Sequence, residues 1–305
     1  MPYISLTIFV KLFQKPNSLA KLLSLLSVFF LFFFVTHGQE ASTLYFHNAE
    51  NEISLLAGQV SDVKFNDSLL FQRNDSLQQL VFNTLKAENS FSYPFDSLKH
   101  IGCIKSEDGL LRVFTWNMVK ADGTHHHYGF LQYYLKVQKE VLLILLTDKS
   151  DSIAEPETEV LTPENWFGAT YYQVLTNGHS SGTVYTLIGW DGNNLYTNKK
   201  VIDVLQFSEN GKAKFGKAVF KAGKKKLRRI IFEYSRMAAM MIKYDPQYQM
   251  IVMDHLAPSE SVYTGNFRFY GPDLSYDGLK FNEDMWEYIP TIDYKKPKPK
   301  RGLFK

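Results

Sequence analysis

From about Leu110 to Ile289 the chain is a succession of short β-branched and aromatic runs separated by turn residues, and this alternation constrains the fold more than any other feature. The clearest unit runs from Leu111 to Val119, through Lys120-Ala121-Asp122-Gly123, to Thr124–Leu135, where Asp-Gly between two alternating runs signals a hairpin. Phe114, Trp116 and Met118 share one face of it and are expected to point to the core. Val141 to Leu146 is uninterrupted apolar sequence, which suits a strand covered on both faces. Further strands are expected at Ala169–Leu175, Thr183–Trp190, Val201–Phe207, Lys217–Lys221, Arg229–Ser235, Met237–Tyr244, Gln249–Asp254, Phe267–Tyr270 and Trp286–Ile289. Asn177-Gly178, Asp191-Gly192-Asn193-Asn194, Asn210-Gly211, Asp245-Pro246 and Asp277-Gly278 supply the turns. The expected class is therefore mainly β: an antiparallel meander in the form of a sandwich, barrel or partial propeller. The tryptophans at 116, 166, 190 and 286 keep no constant period, so a regular repeat is not indicated.

A short α-helical segment precedes the strands. Leu77, Leu80, Val81 and Leu85 fall at helical spacing, Asn74 or Asp75 stands where a cap could start them, and one or two helices are expected between Asp67 and Glu88. Pro94 blocks their continuation.

Residues 1–38 have the layout of a secretory signal peptide. Lys11, Lys15 and Lys21 precede an apolar run of 14 residues, Leu22 to Val35, and Thr36 and Gly38 put small side chains before a cut at Gln39. The run falls short of the about 20 residues of a spanning helix, so no transmembrane span is expected after cleavage. The absence of a cysteine at position 39 argues against a lipid anchor. The expected location is outside the cytoplasm: periplasmic, associated with an outer membrane, or extracellular. The formal charge of +3 equals the three leader lysines, so the chain beyond the leader is balanced and a general attraction to nucleic acid is not expected.

The balance conceals an uneven distribution. Lys212, Lys214, Lys217, Lys221, Lys224, Lys225, Lys226, Arg228 and Arg229 share one acid-free stretch, whereas Asp148, Asp151, Glu155, Glu157, Glu159 and Glu164 gather in another. Lys224, Lys225, Lys226, Arg228 and Arg229 are the candidate binding residues for an anionic glycan, a lipid head group or an acidic envelope protein; a solvated hairpin tip is the plainer alternative. The acidic stretch is the candidate linker, which divides the chain into a helical segment with the first hairpins (39–147), an acidic loop (148–165), a β-rich region (166–290) and a basic Pro/Lys tail (291–305). The outer two of the first three parts can equally form one domain. Cys103 is the sole cysteine, so no intramolecular disulfide can form, and its apolar setting reads as packing rather than reactivity.

Three constellations bear on chemistry. Gly178-His179-Ser180-Ser181-Gly182 matches a nucleophile elbow, with Asp254 and His255 as later acid and base, but the elbow needs a helix after its serine and Thr183–Trp190 reads as a strand. His125 and His127, spaced i, i+2, would share a strand face and could hold zinc only with a third ligand such as His255 or Asp254, which no motif supplies. Asp191-Gly192-Asn193-Asn194 lacks the alternating acids of a calcium loop, and Asp273 and Asp277 are framed as turn residues, so neither marks a site. No cofactor is indicated. The 24 Phe, 18 Tyr and 4 Trp fill a β core or, where exposed in rows, would stack on a sugar.

Thr36-His37-Gly38 before Gln39, Leu187-Ile188-Gly189-Trp190-Asp191-Gly192-Asn193-Asn194, and Tyr270-Gly271-Pro272-Asp273-Leu274-Ser275-Tyr276-Asp277-Gly278-Leu279 together make the chain resemble exported, functionally uncharacterised proteins of the Bacteroidota. The resemblance implies the envelope of a Gram-negative cell and carries over no site residues. The expectation is a non-enzymatic β-rich envelope protein that binds a protein or a glycan. The alternative is an envelope hydrolase using Ser180 or a histidine-held metal.

Overall fold

The computed structural model describes residues 43–61, 66–222 and 225–295; the expected leader, Lys224 and residues 296–305 of the expected basic tail lie outside them. The chain divides into two compact units, Met1–Ala49 and Glu50–Lys305. Of the first, residues 43–49 are helical. The second opens with helical residues 50–60 and continues with helix α1 (Asp67–Lys86). Asn66, rather than Asn74 or Asp75, caps α1, its side chain accepting from the Leu69 N–H at 2.9 Å. Asn74 lies inside the helix, where its Oδ1 accepts from the Trp116 indole at 2.8 Å. The spacing of the apolar residues reveals the helix, but its start depends on which polar residue the sheet buries.

Among the described residues, fifteen strands follow in three sheets. The first is a meander of β1 (Gly102–Lys105), β2 (Leu111–Val119), β3 (His125–Leu135) and β4 (Glu140–Thr147). The middle sheet holds β5 (Thr170–His179), β6 (Gly182–Asp191), β7 (Thr197–Phe207), the short β8 (Ala213–Phe215) and β11 (Ile230–Ser235), in the order β11-β7-β6-β5 with β8 on β7. The third runs β10-β9-β15-β14-β13-β12, built from β9 (Phe220–Ala222), β10 (Lys225–Leu227), β12 (Ile242–Asp245), β13 (Met250–Pro258), β14 (Tyr270–Asn282) and β15 (Met285–Ile289). Every pairing of these strands is antiparallel except β15 with β9.

The sheets stack, which explains the patterning. Leu111, Val113 and Leu131 of the first sheet pack on Leu187, Val201 and Leu205 of the middle one, while Ile188, Ile202 and Val204 on its other face meet Ile251, Leu279 and Trp286 of the third. The middle strands are thus buried on both faces, each large aliphatic side chain contributing about 1.5–3 kcal/mol. Backbones approach closely at the first junction: a Cβ on Gly102 would stand 2.7 Å from the Tyr171 carbonyl. The far face of the first sheet receives α1; Phe114, Trp116 and Met118 are buried, in keeping with their shared face.

Further expectations change. Val141–Leu146 is not covered on both faces: β4 is the edge of its sheet, with Val141 and Leu145 exposed. Gly271-Pro272 and Asp277-Gly278 lie within one long strand, because the pairing of β13 with β14 breaks at Asp254/Leu256 and the intervening Asp273, Leu274 and Ser275 bulge out. Asp273 Oδ1 accepts from the Ser275 N–H and hydroxyl, and Leu274 takes φ +74°. Within residues 148–165, Ile153 and Leu161, with the adjoining Trp166, belong to the core beneath the middle sheet, and Leu161 bridges Phe215.

Candidate functional site

Strand β11 is the edge of the middle sheet, and alternation sends Ile231 and Glu233 to one side of it. There they meet Lys199 of β7, the segment Glu155-Pro156-Glu157, Phe167, and the aromatic pair Phe267 and Tyr270, around a cleft of about 590 Å³. The chemistry of its lining is three carboxylates, one ammonium and several aromatic or aliphatic faces.

The walls are held from beneath. Arg229 Nε donates to Asp203 Oδ2 at 2.7 Å, both side chains fully buried, and Arg229 Nη1 donates to the Pro156 carbonyl. The Arg228 N–H reaches the Glu157 carbonyl at 2.8 Å, and Glu157 Oε1 accepts from the Ile231 N–H at 3.3 Å. A guanidinium without its carboxylate would be intolerable at this depth, so the pair fixes the acidic segment to the sheet. Glu233 is placed by the Thr197 hydroxyl, which donates to Oε1 at 2.7 Å, and by Asn193 Nδ2 at 3.3 Å.

Asn193 also leads to a buried histidine. Asp191 Oδ1 accepts the Asn193 N–H at 2.7 Å. Asp148 accepts the Ser150 N–H and hydroxyl on Oδ1, and the His127 N–H on Oδ2 at 2.8 Å. Between the two carboxylates lies the His127 ring, Nδ1 at 3.5 Å from Asp148 and Nε2 at 3.7 Å from Asp191. Burial disfavours its charge, but the Asp148 contact and the fields of Asp191 and Asp148 outweigh this and raise its pKa. Burial raises Asp191 as well, against the pull of His127, whereas Asp148, though buried, is held well below the usual carboxylate range by His127 and Ser150. The two carboxylates flanking its ring join strand β3 to Asp148 and to Asp191 at the end of β6.

The residues singled out in sequence are dispersed. His125 packs edge-on to Trp190 with Nδ1 2.8 Å from Asn117 Nδ2, and burial, with the His127 charge, lowers its pKa to about 4. His127 has a carboxylate within 3.7 Å of each ring nitrogen, and no group of three or more His, Cys, Asp or Glu placed to hold a metal ion occurs among the described residues. Ser180 sits at the tip of the β5–β6 hairpin, followed by a strand and not by the helix of an elbow. Its N–H is held by both oxygens of Asp284 at 3.0 Å. His179 Nδ1 accepts from the Ser181 N–H at 3.0 Å and is also the nitrogen facing Asp284 at 3.8 Å. A relay needs one ring nitrogen on the serine and the other on the acid, so this arrangement is hairpin architecture. Asp254 accepts the Met241 N–H at 2.7 Å, and His255 Nδ1 binds Asp277 Oδ2 at 2.7 Å; neither contact reaches Ser180.

Of the basic residues, Arg229 is fully buried and out of reach of an outside ligand, which removes it from the candidate binding set. Arg228 donates to the Gly216 carbonyl, Lys226 is exposed opposite Lys221, and Lys225 is placed by its backbone in β10. Cys103 is half-buried against Arg112 Nη2 at 3.8 Å, and burial raises its thiol pKa, the opposite of what a nucleophile needs. Glu155 and Glu157 were legible as part of an acidic cluster, but Lys199, Glu233 and Phe267 stand far along the chain from it and share no local pattern with it. No family model, curated protein or solved structure matches this chain.

Proposed function

We propose that this chain is an exported, non-catalytic binding protein and that the cleft beside β11 receives an uncharged or amine-bearing glycan. The reading rests on one observation: Glu155, Glu157 and Glu233 line the same concavity as Phe167, Phe267 and Tyr270, with a single lysine among them. Carboxylates accept hydrogen bonds from vicinal hydroxyls or an amino group, and aromatic faces cover the apolar face of a sugar ring. The net charge of the lining turns an anionic glycan away from this cleft. Glu233 is preorganised by Thr197 and Asn193, which take one of its oxygens and leave the other for a ligand.

A glycan array probed with the full chain, followed by calorimetry on the best hits, tests this. Neutral or amino-sugar oligomers should be retained, and Glu233→Gln and Phe267→Ala should each weaken retention about tenfold or more. Retention of no glycan, or undiminished retention by both variants, sinks the reading. Shortened oligomers in the same samples would replace binding by hydrolysis. Export is tested separately by N-terminal sequencing of protein from the native cell, where Gln39 should come first.

A further inference from the structure

On the opposite side of β11 a second cavity of about 530 Å³ opens between the edge of the middle sheet and strands β9, β10 and β15. Its character is reversed. Leu227, Ile230 and Phe232 are only half-buried there and Tyr288 is exposed, so apolar surface is left facing an opening between two sheets. At the lip Lys221 pairs with Glu287 at 3.2 Å, both side chains about half exposed. Lys226, directly opposite Lys221 in the β9–β10 register, is exposed and has no carboxylate within ion-pair reach among the described residues. One uncompensated cation therefore stands beside an apolar concavity, in a stretch of chain that holds no acid from Asn210 to Phe232.

We propose that this second cavity binds a free acyl carboxylate, its chain covering Leu227, Ile230 and Phe232 and its head group meeting Lys221 and Lys226. The volume lies in the range of small-ligand sites, and the concave shape between two sheets suits one chain rather than a bilayer face. A second copy of the protein would bring its own Lys226 to the lip and be repelled. A cationic amphiphile would find the same apolar wall and the wrong charge.

The test is calorimetry of the full chain with dodecanoate, decanoate and dodecyltrimethylammonium, each below its micelle concentration. Dodecanoate should bind, and decanoate, shorter by two methylenes, should bind about tenfold more weakly. The ammonium amphiphile should be at least about fivefold weaker than dodecanoate, and Lys226→Glu, an exposed change that leaves folding alone, should cost dodecanoate about fivefold. Equal affinity for the two chain lengths, equal affinity for the cation, or indifference to Lys226→Glu would each overturn the site. Vesicles of dioleoyl phosphatidylglycerol should leave the protein in solution; co-sedimentation would overturn the single-chain site in favour of a membrane face. Glu233→Gln should leave dodecanoate binding unchanged, which keeps this result independent of the glycan reading.

Discussion

Two cavities flank the same strand, and they differ in what holds their walls. The acidic cleft is anchored by a fully buried pair, Arg229 with Asp203, that reaches up to Pro156. The apolar cavity is walled by Tyr288, whose hydroxyl donates to Asp277 at 2.6 Å beside a half-exposed His255. The difference teaches that edge-strand alternation makes two unlike sites from one β11, while the depth of the supporting ionic contact decides how each responds to conditions. In the sealed pair burial raises the Asp203 pKa against the pull of the Arg229 charge. A contact open to solvent titrates.

Breaking the deeper support should have the largest effect. Asp203→Ala leaves the Arg229 guanidinium buried without its carboxylate and should destabilise the protein by about 3–5 kcal/mol, read by denaturant unfolding. Loss below about 1 kcal/mol would mean that the pair does not anchor the acidic wall. Next in size, Glu233→Gln should weaken ligand binding in the acidic cleft about tenfold through the lost charge-assisted hydrogen bond, with unfolding unchanged. An equal loss of stability would make Glu233 a structural residue.

The shallower support should show in pH. The Asp277 hydrogen bond, aided by the charges of Asp277 and Asp273, raises the His255 pKa above 6.5 against burial. A raised histidine stabilises the folded state below about pH 6.5 and loses that contribution as pH rises through the folded value. Wild type minus His255→Asn should therefore be largest near about pH 5.5 and shrink by about pH 8.5, by less than about 1 kcal/mol because the ring is half-exposed. A difference that grows with pH would reverse the sign and sink the assignment. Asp277 itself is held below the usual carboxylate range, since the Tyr288 hydroxyl, the Thr291 N–H and His255 outweigh its burial. Smallest of all, Ser180→Ala should change stability by under about 0.5 kcal/mol and binding not at all, because its side chain holds nothing in either cavity. Any larger effect would reopen the hairpin as a site.

Several elements were legible because their signals are local. Asp122-Gly123 between alternating runs marked the β2–β3 hairpin, where Gly123 takes φ +79°, and the strand after Ser180 was readable from Thr183 to Trp190. Val141–Leu146 misled because an apolar run reports hydrophobicity and not position in a sheet; β4 is an edge strand. Asp277-Gly278 misled because both residues pair in register with Met253 and Val252, just past the Asp273–Ser275 bulge. Arg229 looked like its neighbours in a basic run, yet alternation at the start of β11 turned it inward to an aspartate 26 positions away.

The sequence by itself determined the secondary-structure class and its punctuation, since periodicity, turn residues and side-chain size act over a few residues. It also determined that stability comes without an intramolecular disulfide, because one cysteine cannot pair within a chain. Only the tertiary structure decided which charges meet. Glu155, Glu157, Lys199, Glu233 and Phe267 converge because three sheets stack with β11 at an edge, and Asp148, His127 and Asp191 meet because two of those sheets share a core. Such pairings depend on strand order and sheet packing, which are long-range choices that no local pattern encodes.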